Sequence, residues 1–108
     1  MASVAHVAFK IYGVPDRAEG AIQQLPMARV EKGVVVLASA LPVEAPVNDH
    51  IAWIGGMLKH QRRYLKTLAS MGASLVCECK VSKGELRLKA NAFEFLHLAG
   101  AELVLEQR

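Results

Sequence analysis

The chain has 108 residues, of which 53% are hydrophobic and 21% are charged, and its net charge is +3 at pH 7. This length fits a single domain, residues 1–108, with its own core. The small positive charge excludes a polycation, so binding to nucleic acid is permitted but not required. The hydrophobic fraction lies above the usual range for soluble domains. We therefore expect a partner to cover part of the apolar surface, with a second copy of the chain (a homodimer) as one candidate.

The sequence also predicts where the protein is found. Its N-terminus lacks the charged and apolar regions of a secretion signal. No apolar stretch approaches the ~20 residues of a membrane span. Cys77 and Cys79 are separated by one residue in a predicted strand, where a disulfide between them is poorly placed, so both are expected to be reduced and buried. We expect a soluble, cytoplasmic protein without a membrane partner.

The first half of the chain predicts two strands and one short helix. Residues 4–12 alternate, and the residues of the apolar face are Ala5, Val7, Phe9 and Ile11. The segment Arg17–Leu25 is a helix candidate that ends before Pro26, because the residue before proline avoids the α region. The segment Gly33–Ser39 is a second strand, and its continuous apolar run predicts a central place in the sheet.

A single long helix is predicted from about Asn48 to Met71. Asn48 is a suitable N-cap, and Asp49 lies in the first turn, where negative charge suits the helix dipole. Apolar residues at helical spacing predict one buried face. These residues are Ile51, Ile54, Leu58, Leu65 and Leu68. Gly55 and Gly56 cost roughly 2 kcal/mol of helix propensity relative to alanine, and they predict either a kink or a close helix contact.

The second half contains a short internal repeat. Residues 72–78 read Gly-Ala-Ser-Leu-Val-Cys-Glu, and residues 100–106 read Gly-Ala-Glu-Leu-Val-Leu-Glu. Each copy follows an apolar, helix-like run, so each predicts a helix that ends at glycine and is followed by a strand. The predicted elements are a strand at 73–81, a turn at 82–84, a strand at Glu85–Leu88, a helix at Asn91–Ala99 and a strand at Ala101–Glu106. The residues predicted to face the core are Leu75, Cys77, Cys79, Val81, Leu103 and Leu105.

The predicted order of elements is β-α-β-α-β-β-α-β. Strands and helices mix in it without strict alternation, which is typical of an α+β domain. We expect a five-stranded, mostly antiparallel sheet with the helices packed on one face.

The strongest candidate for a binding surface is the basic run on the long helix. Lys59, Arg62, Arg63 and Lys66 recur at spacings of three and four, which places them on one helix face. Three interpretations are open: a solvated face opposite the core, a surface for a protein partner, or a surface that binds phosphates. The only tryptophan, Trp53, is either an aromatic anchor for a partner or a residue at the edge of the core. The partner surface would comprise Trp53, Lys59, Arg62, Arg63, Tyr64 and Lys66.

No motif in the sequence predicts a catalytic residue, a metal site or a cofactor. The histidines, His6, His50, His60 and His97, are scattered, and no serine has a nucleophile-elbow context. The pair Cys77 and Cys79 supplies two of the four ligands that zinc needs, at a closer spacing than usual, so a role as small core residues is favoured. An enzyme would need a pocket between helices and sheet in which His50 or His60 acts as general base.

The order of segments also resembles a known family. The segments that carry the resemblance are Ile11-Tyr12-Gly13, Leu25-Pro26, Glu31-Lys32-Gly33, Asp49-His50-Ile51, Gly72-Ala73, Gly84, Leu86-x-Leu88 and Gly100-Ala101-Glu102-Leu103. Together they resemble a widespread bacterial family of small uncharacterised α+β domains, some of which are associated with polymorphic-toxin immunity loci. The resemblance covers nearly the whole chain and includes no catalytic motif, so it implies a binding role.

These observations predict a non-enzymatic bacterial protein-binding domain, of the kind that occludes a partner as an immunity protein does. Two alternatives remain. The first is a small enzyme with a histidine-based pocket. The second, less favoured, is a weak nucleic-acid binder that uses the basic face of the long helix.

Overall fold

A computed structural model describes residues 4–14, 25, 27–82 and 87–107 of the chain. Its strands are β1 (Ala5–Tyr12), β2 (Arg29–Glu31), β3 (Val34–Ala38), β4 (Ser74–Val81) and β5 (Glu102–Gln107). Its helices are α1 (Val47–Leu58), α2 (Arg62–Ser70) and α3 (Ala90–Ala99). None of these three helices has the length and apolar character needed to cross a bilayer.

The five strands form one sheet in the spatial order β2-β3-β1-β4-β5. Neighbouring strands are antiparallel except β4 and β5, which are parallel. A parallel pair needs a crossover connection, and α3 lies in that connection. The predicted α+β class and the mostly antiparallel sheet are confirmed.

The strand β2 was not predicted from the sequence. It pairs with β3 across the two-residue turn Lys32-Gly33, whose φ angles are 50° and 79°. Two consecutive positive φ angles match the right-handed twist of the flanking strands, as in type I′ hairpins. The hairpin therefore contributes the strand that completes the five.

Two predicted elements fall largely outside the described residues. The helix Arg17–Leu25 does so except for Leu25, which is buried in the core. The turn and strand predicted from residue 82 to Leu88 are described only at Ser82, Arg87 and Leu88, and none of these three residues is in a strand.

Alternation along the strands gives the sheet an inner and an outer face. The inner-face residues of β1 and β4 are all buried, and they are Ala5, Val7, Phe9, Ile11, Leu75, Cys77, Cys79 and Val81. The described helices pack on this face, and their core residues include Ile51, Ile54, Leu58, Leu65, Leu68 and Leu96. The outer face carries the alternate residues, among them His6, Lys10, Tyr12, Glu78 and Lys80. The predicted packing of helices on one face is thus confirmed for α1, α2 and α3.

The long helix predicted from Asn48 to Met71 is two helices in the structure. The first ends at Leu58, and Gln61, with φ −112° and ψ 13°, precedes the second. Gly55 and Gly56 lie within α1 and do not cause the break. A Cβ atom at Gly55 would lie 3.4 Å from the ring of Phe95. Of the two predicted roles for these glycines, the close helix contact is therefore the one that the structure shows.

Asn48 is not the N-cap of α1. The helix begins one residue earlier, after Pro46, without a side-chain cap. The side-chain nitrogen Nδ2 of Asn48 donates to the backbone carbonyl of Arg87. Its side-chain oxygen accepts a hydrogen bond from the backbone N–H of Lys89 at 2.8 Å. A tertiary contact that joins α1 to the start of α3 has replaced the local cap.

The internal repeat forms the same local structure twice. In each copy the glycine N–H donates to the carbonyl three residues earlier, and the alanine N–H donates to the carbonyl five residues earlier. This is the Schellman pattern of helix ends. Gly72 and Gly100 have φ angles of 98° and 70°. As predicted, each glycine ends a helix and is followed by a strand.

The last strand, β5, lies at an edge of the sheet. Its register places Leu103 beside Cys77 and Leu105 beside Cys79. Leu103 is half-buried, but Leu105 is 41% exposed. Leu105 thus lies on the inner-face side of the sheet, as predicted, but the core does not cover it, because the helices pack over the central strands β1 and β4 rather than over this edge.

Candidate functional site

The basic segment, residues 59–66, joins α1 to α2. Its four cations, Lys59, Arg62, Arg63 and Lys66, are all exposed. None of them forms an ion pair with another described residue. Because the predicted helix breaks inside the segment, Lys59 precedes α2, while the other three share the exposed face of α2. The structure thus gathers the predicted cations into one group without acidic partners among the residues it describes.

The two aromatic residues of the predicted surface are held by the core. Trp53 and Tyr64 are partly buried and pack against the core cluster. Burial raises the pKa of the Tyr64 hydroxyl above its ordinary value. The structure therefore favours the core-edge interpretation of Trp53, although part of each ring stays accessible.

A groove of about 280 Å³ lies between α1 and α3, beside the basic segment. Lys59 and Arg62 line the groove, together with Gly55, Gly56 and Phe95. The missing side chains of the two glycines leave room for this groove next to the Phe95 ring. The predicted partner residues outside its lining are Trp53, Arg63, Tyr64 and Lys66.

A second arrangement, which the sequence did not predict, surrounds His50 in the first turn of α1. This side chain is 1% exposed, and it is the only buried polar side chain in the described chain. Its Nδ1 atom lies 2.7 Å from Oγ of Ser39, just after β3. Its Nε2 atom is buried and has no hydrogen-bond partner among the described residues.

The charge state of His50 follows from its burial. Burial lowers the pKa of the imidazole below the ordinary value of 6.5, and the nearby carbonyl of Ala45 opposes this effect. Asp49 also raises the pKa, whereas His6 lowers it. Because burial is the largest of these effects, the ring is neutral at pH 7 and carries one N–H.

Strand pairing in the sheet is interrupted next to the Ser39–His50 pair. Beyond β3, the N–H of Ser39 donates to the carbonyl of Val7, and the N–H of Ala5 donates to the carbonyl of Val43. Between these two hydrogen bonds the chain leaves the side of β1. The departure leaves a gap in the sheet at the end of β3.

A cavity of about 240 Å³ occupies the gap. Ala5 and Val7 line it from the inner face, and His6 and Ala8 line it from the outer face. His50 is also in its lining. The cavity therefore reaches from the outer face of the sheet to the buried imidazole. Its charged lining residues are Lys10, Arg29, Glu31, Glu78 and Lys80.

A small polar network lies on the outer face at this cavity. Tyr12 donates its hydroxyl hydrogen to one oxygen of Glu78 at 2.6 Å, and Nζ of Lys10 lies 3.1 Å from the other oxygen. The Tyr12 hydrogen bond and the Lys10 charge hold the pKa of Glu78 below its ordinary value. The same hydrogen bond raises the pKa of Tyr12.

The sequence contains part of the signal for these contacts. His50 lies four residues before Ile54 and so belongs to the buried face of its helix. Alternation places Lys10 and Tyr12 on one strand face. Their partners, Ser39 and Glu78, depend on strand register and on where α1 docks, and neither can be seen in a single sequence.

Among the described residues, the Ser39–His50 pair lacks the third member of a catalytic triad. A serine beside a histidine is half of an activated nucleophile, which also needs a group that orients the base. In the described ranges no carboxylate bonds to His50, since Nδ1 contacts Ser39 and Nε2 has no partner. His60, the other predicted base, is exposed and is not in the lining of the cavity.

Cys77 and Cys79 are free and buried on the inner face, as predicted. The neighbouring Cys79 thiol and burial both raise the pKa of Cys77, so this thiol is inert at pH 7. Within the ranges that the structure describes, no three side chains suited to a metal ion come together.

Comparisons of the chain with protein-family models, with curated proteins and with solved structures find no match. These comparisons therefore add nothing to the interpretation of the basic segment, the groove and the His50 cavity.

Proposed function

We propose that this protein is a non-enzymatic protein-binding domain, and that the basic segment and the adjacent groove receive an acidic partner. The observation that carries the proposal is the group of four exposed cations without an ion pair among the described residues. Like charges held together raise the local potential and attract a surface of opposite charge. An acidic partner would relieve this repulsion.

The groove adds an apolar element to this surface. Phe95 lines it beside Lys59 and Arg62. Interfaces commonly combine a central apolar contact with a charged rim. We therefore expect the partner to place an apolar side chain in the groove and carboxylates against the two cations. Complementary charge of this kind raises the association rate and selects between partners.

The biological role that we propose is the occlusion of a bacterial cytoplasmic protein. It rests on the sequence resemblance to domains at immunity loci, together with the net charge of +3, which suits an acidic or neutral target. Occlusion requires only a stable interface, and the Ser39–His50 pair has no part in it.

A second copy of the chain is the other partner that we propose. β5 is an edge strand in which Val104 is 45% exposed and Leu105 is 41% exposed. An edge strand presents unpaired backbone groups that another strand can pair with. Pairing of two copies at β5 would cover this apolar surface.

Affinity capture from a lysate of the native host tests the acidic-partner proposal. The baits are the wild type, the variant Arg62→Gln/Arg63→Gln, and the matched control Lys32→Gln/Lys80→Gln, which removes the same charge elsewhere. We expect one protein with an acidic surface on the wild type and the control. Its affinity, remeasured with both proteins purified, should fall at least about tenfold in the Arg62/Arg63 variant.

The other results of this experiment are equally informative. Equal capture by all three baits would place the interface elsewhere and contradict the proposal. Capture that disappears after nuclease treatment, with affinity that falls steeply with salt, would favour the nucleic-acid alternative. No protein partner on any bait would reject protein binding and leave the histidine pocket as the remaining candidate.

A further inference from the structure

The cavity at His50 contains a buried polar atom without a partner. Nε2 of His50 has no hydrogen bond among the described residues, although the side chain is only 1% exposed. Leaving a buried polar group unpaired costs about 1–3 kcal/mol. Because His50 lines the cavity, a ligand atom that reached Nε2 and bonded to it would remove this cost.

The contact with Ser39 bears on which hydrogen-bonding role this atom has. The Ser39 Oγ accepts a hydrogen bond from the N–H of Leu41 at 3.3 Å and lies 2.7 Å from Nδ1 of His50. A hydroxyl has one hydrogen and two lone pairs, so both directions of the Nδ1 contact are open. When the hydroxyl donates to Nδ1, the single N–H of the neutral ring is on Nε2, and the unpartnered atom is a donor whose ligand must be an acceptor.

The charges around the cavity point to an anionic acceptor. Its lining has three permanent cations, Lys10, Arg29 and Lys80, and two carboxylates, Glu31 and Glu78. Each carboxylate already has a cation, because Glu78 pairs with Lys10 and Glu31 pairs with Arg29. Lys80 is the positive charge in excess, and within the described structure it forms no ion pair.

The strand register gives Lys80 two neighbours on the outer face. His6 of β1 lies directly across from it, and Glu106 of β5 lies on its other side, where the carboxylate offsets part of the Lys80 charge. The start of α1 acts in favour of an anion. His50 is in the first turn of α1, a helix of 12 residues whose N-terminus carries positive potential. An anion near Lys80 and His50 would therefore gain from both the side chains and the helix.

We propose that this cavity binds a small oxyanion, with the Nε2–H of His50 as the buried donor and Lys80 as the main charge partner. The ligand is a carboxylate or a phosphate group of a small molecule, since both present acceptor oxygens and negative charge. The cavity volume of about 240 Å³ admits such a group together with a small remainder. This inference is independent of the acidic-partner proposal, because the cavity and the groove have no lining residue in common.

The ring tautomer is the first test. In protein labelled with ¹⁵N-histidine, long-range ¹H–¹⁵N spectra at pH 7.5 report which ring nitrogen of His50 carries the hydrogen. The proposal requires Nε2–H. Observation of Nδ1–H would overturn it, because Nε2 would then be an acceptor and would repel an oxyanion.

Titration with sodium acetate and with sodium phosphate, at constant ionic strength, is the second test. We expect a saturable shift of the His50 Nε2 resonance with at least one of them, and the tighter ligand distinguishes the carboxylate from the phosphate source. Substitution of His50 itself would disturb the core, so the exposed change Lys80→Gln is the variant. Its affinity should be at least about fivefold weaker. Lys89→Gln, an exposed change with the same loss of charge outside the cavity lining, should bind as the wild type does.

The proposal fails if neither anion produces a saturable shift at His50. It also fails if Lys80→Gln and Lys89→Gln weaken the affinity equally, since that result reports general surface charge. Retention of wild-type affinity in Lys80→Gln would likewise contradict the assigned charge partner.

Discussion

The two copies of the internal repeat have the same local structure but different burial. Both end a helix with a Schellman glycine, and both continue as a strand. In the first copy, Leu75 and Cys77 are fully buried because β4 is a central strand. In the second, Leu103 is half-buried and Leu105 is exposed, because β5 is at the edge. Local sequence sets the helix stop and the strand, and the place in the sheet sets burial.

Truncation of the matched leucines tests this contrast most strongly. We expect Leu75→Ala to lower the free energy of unfolding by about 3 kcal/mol and Leu103→Ala by about 1 kcal/mol. The first deletes atoms from a closed core, and the second deletes atoms already half in water. Urea denaturation followed by the fluorescence of Trp53, the only tryptophan, measures both. Equal losses would mean that β5 is covered in solution.

Substitution of the two glycines tests the similarity of the copies. Gly72→Ala and Gly100→Ala should each lower the free energy of unfolding by about 1 kcal/mol, because alanine is strained at positive φ. A Cβ atom would meet nothing within 4 Å at either position, so the cost comes from the backbone alone. Gly56→Ala, equally open but inside α1, should instead be neutral or stabilising. Thermal or urea unfolding of the three variants measures these changes. A loss of stability in Gly56→Ala as large as in the other two variants would contradict the prediction.

The last residues of the two copies, Glu78 and Glu106, should differ in how they make stability depend on pH. Glu78 has a lowered pKa, so its unfolded form binds protons at higher pH than its folded form. The stability that the ionised Glu78 contributes is therefore complete above the ordinary pKa of 4.5, and it is lost as the pH falls through the folded pKa. We expect Glu78→Gln to lower the free energy of unfolding at pH 7 by about 1 kcal/mol, and less at lower pH.

The exposed Glu106 is the control for that experiment. Because water screens any pair that an exposed side chain forms, Glu106→Gln in β5 should change the free energy of unfolding at pH 7 by less than about 0.5 kcal/mol. A series of urea curves between pH 3 and pH 7 compares the two variants. A Glu78→Gln effect that stays constant across this range would refute the role of its charge.

The smallest effect on stability is expected at the edge strand itself. Val104→Lys should change the free energy of unfolding by less than about 0.5 kcal/mol, since this side chain is exposed. It should nevertheless disrupt the proposed pairing of two copies at β5, because lysine on an edge discourages strand addition. Sedimentation velocity compares the wild type with Val104→Lys. A wild type that is monomeric at high concentration, or a variant that stays dimeric, would reject pairing at this edge.

Sequence periodicity was sufficient for most of the fold. The alternation in the segments that form β1 and β4 predicted two strands and their buried faces, and the glycines at 72 and 100 predicted two helix ends. The break at residues 59–61 was missed because no proline or glycine marks it. The hairpin at Lys32-Gly33 was missed because β2 has only three residues.

The candidate sites were less accessible to sequence reasoning than the fold. The cations of the basic segment follow from helical spacing alone. The Ser39–His50 pair and the Lys10–Glu78 pair each join residues on different elements. Such contacts depend on strand register and helix docking, which a single sequence does not contain.

The central place of β1 has a consequence for how the chain folds during synthesis. β1 emerges from the ribosome before the other four strands of the sheet, yet one of its two neighbours is β4, with Ala5 opposite Val81. Until that later strand is made, one side of β1 has no partner and the apolar inner face is incomplete. Contacts so far apart in sequence are slow to form. The nascent chain therefore stays exposed to aggregation until most of the domain has been translated.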